Sequence, residues 1–425
     1  MPISDLVNVS CRQDLFGVPS LFPELGEGVA DSCFVLVSKR FNMYGRPPQH
    51  TFLDFTITNL SAAVLIAFTF GQILKGTPEA LNFLEKLSQE NFPPVGFTMI
   101  GGIVLSLGNL AMQYARAFVS LSITEVITTS IAVVIGTTLN YFLDYKINKA
   151  ETLFPGVGCF LIAFCLGSAV HVLNAADNRA KLNAFSKMNQ LEAGNSTRKD
   201  AFACTIPNDA NQDDFYVRFS DRLVPSFNGA YVNEGTAFFL VQLEKRRAIK
   251  VFRKSTMIWL GITFFAGFCF SLFSHAFNMA TNDRWHTLKK EVPHLSVYTT
   301  FFYFSVSCFF AALVLNISFL YCPVLNLPKT NFKAYLNDWN GRGWALLAGL
   351  LCRFGNGLQF MFWGAAGYAA AGAVQAFPLV STFWGILLFG EYRKSSKRTY
   401  ILLVGMLSMF IIAVGVLITS AGHRK

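Results

Sequence analysis

Two acidic residues interrupt long apolar runs, and each is a candidate for binding a proton. Glu125 lies about six residues into the run 119–142, and Asp54 lies two residues into the run 52–74. An ionisable group among apolar residues is costly to bury, so it is a functional hypothesis by default. Glu125 shares a helical face with Thr128, and an interhelical hydrogen bond that only stabilises packing is the alternative. For Asp54, the position at the edge of its run favours a structural or gating role over proton binding.

Amide side chains form a second group of candidates. Asn109 and Gln113 share one helical face of an apolar run, and Asn356 and Gln359 share a face of another. Amides both donate and accept hydrogen bonds, which favours contact with a small, neutral, flat heterocycle over contact with an ion or a lipid. The alternative is that these amides only join helices. The predicted substrate-binding residues are Asn109, Gln113, Thr128, Asn356, Gln359 and Gln375.

No pattern in the sequence points to catalysis, a cofactor or a metal. The segment 248–255 ends in Lys-Ser like a phosphate-binding loop, but Ala248 and Arg253 replace both of the glycines that such a loop needs. The six histidines are isolated, and the nine cysteines include no C-x-x-C pair. The sequence therefore predicts neither an enzyme nor a cofactor or metal site.

The composition places these residues in a membrane protein. Hydrophobic residues make up 53% of the 425 and charged residues only 14%, whereas soluble domains carry about 25% charged residues. The net charge of +10 lies in short basic clusters beside apolar runs. Clusters in that position orient a protein in a lipid bilayer, so they do not indicate a nucleic-acid partner.

Nine apolar runs of about 20 residues predict nine membrane-spanning helices. They divide the chain into an atypical N-terminal segment 1–50, four spans in 51–174, a polar central loop 175–254 and five spans in 255–421. A basic cluster within 245–254 precedes the fifth span and predicts a cytoplasmic central loop. The sequon at Asn195 is then expected to stay unglycosylated. The predicted spans are 52–74, 95–117, 119–142, 153–174, 255–278, 298–321, 343–366, 367–390 and 400–420.

An internal repeat relates the two groups of spans. At a constant offset of 247 residues the halves align without gaps over about 70 positions, and an acidic-Tyr-basic box recurs at 144–146 and 391–393. We interpret Asp144 and Glu391 as anchors at span ends that pin the repeats. The same offset relates 298–321 to 51–74, and it relates the span 255–278 to a region without an apolar run. A five-span unit inserts its second copy inverted, as recurs in secondary transporters.

Several segments together resemble the plant ureide permeases over about residues 44–425. The resemblance implies a drug/metabolite transporter-like fold, an all-α integral membrane inverted repeat of the ten-helix type, with about nine spans here. It also implies proton-coupled transport of allantoin and related oxo-heterocycles such as uracil across the plasma membrane. On its matching motif, Glu125 is implied as the coupling residue. The segments are 48–54, 101–111, 124–128, 134–144, 333–343, 354–360 and 379–391.

Departures from the family pattern keep a second function open. Arg116 stands where we expect Trp, Arg353 stands where we expect a small residue, and residues 1–43 do not resemble the family. The first helix of the family is expected to be missing, and a charged residue inside a span disturbs packing. The alternative is a transport-impaired paralogue or truncated gene product with a regulatory or interaction role.

Overall fold

The computed structural model describes residues 45–73, 83, 87, 92–143, 150–195, 237–247, 256–281, 295–324, 329–366 and 377–421. Within these ranges the chain forms helices and no strands. The helices are α1 Pro48–Ile73, α2 Phe92–Phe118, α3 Leu121–Leu143, α4 Ala150–Asn195, α5 Ala237–Arg246, α6 Thr256–Thr281, α7 Val297–Tyr321, α8 Phe332–Asn337, α9 Arg342–Ala366, α10 Phe377–Phe389 and α11 Lys397–Ala421.

Seven of these helices are long and apolar enough to cross a membrane, namely α1, α2, α3, α4, α6, α7 and α11. Each coincides with a predicted span, because a helix satisfies every backbone polar group internally where lipid offers no partner. Helix α9 covers the predicted span 343–366. Helix α10 covers the later part of 367–390, and 367–376 lie outside the described residues. The prediction of an all-α integral membrane fold is confirmed.

Helix α4 is longer than the apolar run that predicts it. The run ends at residue 174, whereas the helix continues to Asn195. Lys, Asp, Glu and Arg side chains follow the apolar run along the last part of the helix, as expected of a segment that leaves the membrane. The first part of the predicted central loop is therefore helical. Residues 196–236 and the proposed missing helix within 1–44 lie outside the described residues.

The helices pair as the internal repeat requires. Helix α4 packs against α11, α3 against α10 and α1 against α7, so equivalent helices of the two halves meet. Helix α1 also packs against α9, and α2 packs against α7, which is the equivalent pair in the repeat. Helix α6 packs along α2 and α3. The pairing supports two related halves that face each other across a central axis.

Two glycines 247 residues apart make matching close contacts in the pairs α2–α7 and α1–α9. A side chain at either glycine would collide with a phenylalanine carbonyl and with the hydroxyl three residues further on in the facing helix. The facing residues are 249 apart, because Gly102 follows Phe55 by 47 residues whereas Gly349 follows Phe304 by only 45. The offset of 247 that we expected for α1 and α7 is thus corrected to 249. The contacts join Gly102 to Phe304 and Ser307, and Gly349 to Phe55 and Thr58.

Candidate functional site

Most of the buried charge lies at one end of the bundle. We call it the central-loop end, because α4 leaves the bundle there and α6 enters it. Helices α1, α3, α9 and α11 begin at this end, and α2 and α10 finish there. Apolar residues dominate the rest of the bundle, and one packed cluster joins α2, α3, α4 and α11. The proton-binding candidates Glu125 and Asp54 both lie at the central-loop end.

Glu125 is part of a buried ion pair. Arg116 Nε donates a hydrogen bond of 2.6 Å to Glu125 Oε1, and both side chains are buried. Arg116 is in the last turn of α2 and Glu125 in the second turn of α3, so the pair spans the corner between these helices. A charge-assisted hydrogen bond in such a dry site is strong, and losing either partner leaves a buried charge. We missed this pair because we considered each residue only on its own helix.

Glu391 caps the beginning of α3. Its carboxylate accepts hydrogen bonds from the Leu121 backbone N–H at 2.5 Å and from the Ser122 hydroxyl at 2.7 Å. The first backbone N–H groups of a helix have no partner within the helix, so the carboxylate satisfies one of them at Leu121. A carboxylate at this position also interacts favourably with the helix dipole. Glu391 follows α10 of the second half, whereas α3 belongs to the first. The contact joins the two halves, and Asp144 of the matching box lies outside the described residues.

Asp54 is the centre of a buried polar network, which we call the Asp54 cluster. Its members are Arg46, His50, Asp54, Tyr335, Asp338 and Arg342. Arg46 Nη2 donates to Asp54 Oδ2 at 2.5 Å, and the Tyr335 hydroxyl donates to Asp54 Oδ1 at 2.7 Å. The Arg342 Nε atom lies 3.3 Å from Asp54 Oδ1. The cluster therefore ties the beginning of α1 to α8 and to the beginning of α9.

A second carboxylate completes the Asp54 cluster. Asp338 Oδ2 lies 2.6 Å from His50 Nδ1 and 3.3 Å from Arg46 Nε. Burial acts to raise the pKa of Asp338, but the His50 hydrogen bond and the Arg46 charge outweigh it and lower that pKa. Burial and the neighbouring Asp54 raise the pKa of Tyr335, so its hydroxyl remains a donor at neutral pH. Sequence reasoning missed these partners because they lie more than 280 residues from Asp54 and His50.

The predicted amides differ in their surroundings. Gln113 is buried, donates from Nε2 to the Pro48 carbonyl at 2.6 Å, and leaves Oε1 without a partner among the described residues. Asn109 is half-buried. Thr128 is buried and donates to the Met112 sulfur at 3.3 Å. Of these three, Gln113 has a buried acceptor left over.

The amides of the second half are described only in part. Asn356 is half-buried in α9 and donates to the Cys352 sulfur at 3.4 Å, which is a weak hydrogen bond. Gln359 is in the same helix, but its side chain lies outside the described residues, as does the whole of Gln375.

Two related halves of long apolar helices, joined by buried charges at one end, define an integral membrane transporter of the inverted-repeat class. Comparison with known proteins then identifies the family. The model of the Ureide permease family matches residues 51–420, and the chain belongs to this family. The resemblance seen in the sequence is confirmed, and so is the prediction that the chain is a transporter and not an enzyme.

Named relatives match nearly the whole chain. "Ureide permease 2" of Arabidopsis thaliana is 64% identical over 381 residues, which cover 90% of this chain and 92% of the relative. "Ureide permease 1" of the same plant is 63% identical over 384 residues, covering 90% and 91%. "Probable ureide permease A3" of Vigna unguiculata is 60% identical over 358 residues, covering 84% and 91%.

Proposed function

We propose that this protein transports ureides such as allantoin, and related oxo-heterocycles such as uracil, across the plasma membrane together with protons. The observation that carries the proposal is the identity of 63–64% to two named ureide permeases over 90% of the chain. An identity this high over nearly every span favours the same class of substrate.

Substrate binding is proposed for the amide and hydroxyl residues. Allantoin is small, neutral and rich in amide groups, so it needs both donors and acceptors in its site. Gln113 supports this role, because its Oε1 atom is buried without a partner in the described part of the chain. A buried unpaired acceptor is costly, and a substrate N–H group would satisfy it. The proposed set is Asn109, Gln113, Thr128, Asn356, Gln359 and Gln375.

Coupling to protons is proposed for Glu125, with Asp54 as the second candidate. A proton that binds Glu125 competes with Arg116, whose Nε atom is 2.6 Å away. Neutralising Glu125 would leave Arg116 as a buried charge at the α2–α3 corner, and such a charge favours a rearranged conformation. The pair thus has two states, one with Glu125 ionised and bound to Arg116 and one with Glu125 protonated. Protonation would shift the protein between them, as alternating access requires.

Uptake tests this function directly. Radiolabelled allantoin is supplied to yeast lacking its own allantoin permease, at acidic and neutral pH, with and without a protonophore, after surface expression is verified. We expect saturable, acid-stimulated uptake that the protonophore abolishes. Surface expression without any uptake would contradict the proposal.

The coupling residue is tested in the same cells. Glu125→Gln keeps the size of the side chain but cannot exchange a proton, so uptake driven by a pH gradient should be lost. Thr129→Ser, one turn away on the same helix, is the matched control and should transport normally. If Glu125→Gln still accumulates allantoin in a pH-dependent way, Glu125 has no part in coupling and Asp54→Asn becomes the next variant to measure.

A second candidate function is favoured by one observation, the buried Arg353 in the middle of α9. A guanidinium in a span can impair helix movement, which would make the chain a transport-impaired paralogue with a regulatory role. Arg353→Gly decides between the two functions. Uptake that appears only in this variant would establish the impaired paralogue.

A further inference from the structure

Arg353 is a buried cation near the middle of α9, the helix that covers the predicted span 343–366. It is the twelfth of the 25 residues of α9, and only 1% of its surface is exposed. Its Nη2 atom donates a hydrogen bond to the Ser305 hydroxyl of α7. The guanidinium carbon lies 4.6 Å from the centre of the Phe301 ring and 5.6 Å from that of Phe304. The charge therefore sits between α7 and α9, away from water and lipid.

No carboxylate balances this charge within the part of the chain that the structure describes. Arg46 and Arg116 each lie within 2.6 Å of a carboxylate oxygen, whereas among the described residues Arg353 donates to one neutral hydroxyl. Its Nε atom has no hydrogen-bond partner among the same residues. Cation–π contacts and a hydroxyl recover only part of the cost of burying a guanidinium. The unpaired donor and the unbalanced charge both point to an anion.

The position of Arg353 connects it to the proposed substrate site. Asn356 follows three residues later, and residues three apart on a helix are neighbours on one face. The equivalent residue in the first half is Ser106, at the offset of 247. One half of the repeat thus presents a neutral residue and the other a cation.

We propose that Arg353 binds an anionic group of the substrate and selects ureides that carry a carboxylate. The inference rests on the proposed transport of ureides. A guanidinium presents several N–H donors in a fixed plane that matches a carboxylate. The free Nε atom supplies one donor of that plane. Closed neutral ureides remain substrates through the amide residues, and the charge adds preference for open-chain acids.

A binding measurement tests the proposal without transport. Ureidoacetate is the product of hydrolysis of one ring amide bond of hydantoin, which opens the ring and creates a carboxylate and a terminal urea NH2 group. Thermal unfolding of the purified full chain in detergent is followed with each compound, and with acetate to measure the effect of any small anion. We expect ureidoacetate to bind Arg353→Gln at least tenfold more weakly than the unaltered chain, with hydantoin changed by less than twofold. Equal loss for both compounds, or equal protection by acetate, would overturn the proposal.

Further variants keep the test decisive. Arg353→Lys retains the charge without the planar donors and should give intermediate affinity, which is measurable even if Arg353→Gln fails to fold. Lys333→Gln removes an exposed charge elsewhere and should change nothing. The thiols of Cys308 and Cys352 interact electrostatically with Arg353. If Cys308→Ser strengthens ureidoacetate binding at least tenfold, the Cys308 thiolate and not a ligand balances the charge in the unaltered chain, and the proposal is wrong.

Competition for allantoin uptake is the second arm. Ureidoacetate should inhibit uptake by the unaltered chain at least tenfold better than uptake by Arg353→Gln, whereas hydantoin should inhibit both alike. Absence of allantoin uptake by the unaltered chain would contradict the transport proposal alone, since the binding measurement does not depend on it.

Discussion

The α1–α9 and α2–α7 interfaces are related by the internal repeat, yet they differ in charge. Each is closed by a glycine against a phenylalanine carbonyl and a hydroxyl. Only the α1–α9 interface carries the Asp54 cluster. At the offset of 249, the positions of Arg46, His50 and Asp54 are taken by Leu295, Thr299 and Tyr303.

This difference shows which property each half preserves. Backbone approach between two helices depends on glycine, and no other residue fits, so both copies keep it. Buried charge has no such requirement and can be concentrated in one copy. The two ends of the bundle therefore differ in chemistry although the packing is the same. The Asp54 cluster lies at the central-loop end, whereas the equivalent positions 295, 299 and 303 lie around the beginning of α7, at the opposite end.

The substitution with the largest expected effect disrupts the charged α1–α9 interface and leaves α2–α7 unchanged. Asp54→Asn leaves the buried Arg46 and the half-buried Arg342 without their shared carboxylate, which should lower the free energy of unfolding by about 3–5 kcal/mol. Tyr303→Phe at the equivalent position of α7 is the matched control and should cost less than about 1 kcal/mol. Denaturant titration of both variants in detergent measures the difference. Equal losses would mean that the Asp54 cluster does not stabilise the α1–α9 interface.

Substitution of the two matching glycines should destabilise the α2–α7 and α1–α9 interfaces equally. Alanine at Gly102 or at Gly349 forces a Cβ atom against facing backbone, and overpacking of this kind costs about 2–3 kcal/mol. Gly96 on α2 and Gly343 on α9 have open space around them and serve as controls. Unfolding of all four variants is compared. A large loss at one glycine and none at the other would contradict the symmetry of the packing.

The smallest effect concerns pH. Because the folded-state pKa of Asp338 lies below its ordinary 3.8, its carboxylate stabilises the fold above that value, and the contribution disappears as pH falls through the folded pKa. Between pH 5 and 7 the contribution should be constant. Asp338→Asn should thus cost about 1–2 kcal/mol at every pH in that range, measured by unfolding at pH 5, 6 and 7. A cost that changes between pH 5 and 7 would contradict this expectation.

The helices themselves could be predicted because their signal is local. Apolar runs of about 20 residues located the spans, and the repeat predicted two related halves, but which helices pack together came only from the structure. The end of α4 could not be predicted in this way, because the helix of 46 residues continues past its apolar run. Charged residues with good helix propensity extend a helix without leaving a hydropathy signal.

The buried contacts could be predicted only where sequence distance is short. Arg116 and Glu125 are nine residues apart, on either side of a tight corner. Their opposite charges at facing helix ends are a local pattern from which the pair could have been predicted. Tyr335 and Asp338 lie in a polar connection far from Asp54, and hydropathy gives no reason to bring them together. Packing of α9 on α1 places them, and that packing depends on Gly349.

The cap that Glu391 places on α3 has a consequence for synthesis of the chain. Ser122 leaves the ribosome 269 residues before its acceptor exists, a delay of roughly 13 to 54 seconds at ordinary translation rates. For that time the first N–H groups of α3 must rely on water or on another protein at the membrane surface. The first half is therefore completed by the last part of the second, and a nascent chain stopped before α10 would expose this helix end to the insertion machinery.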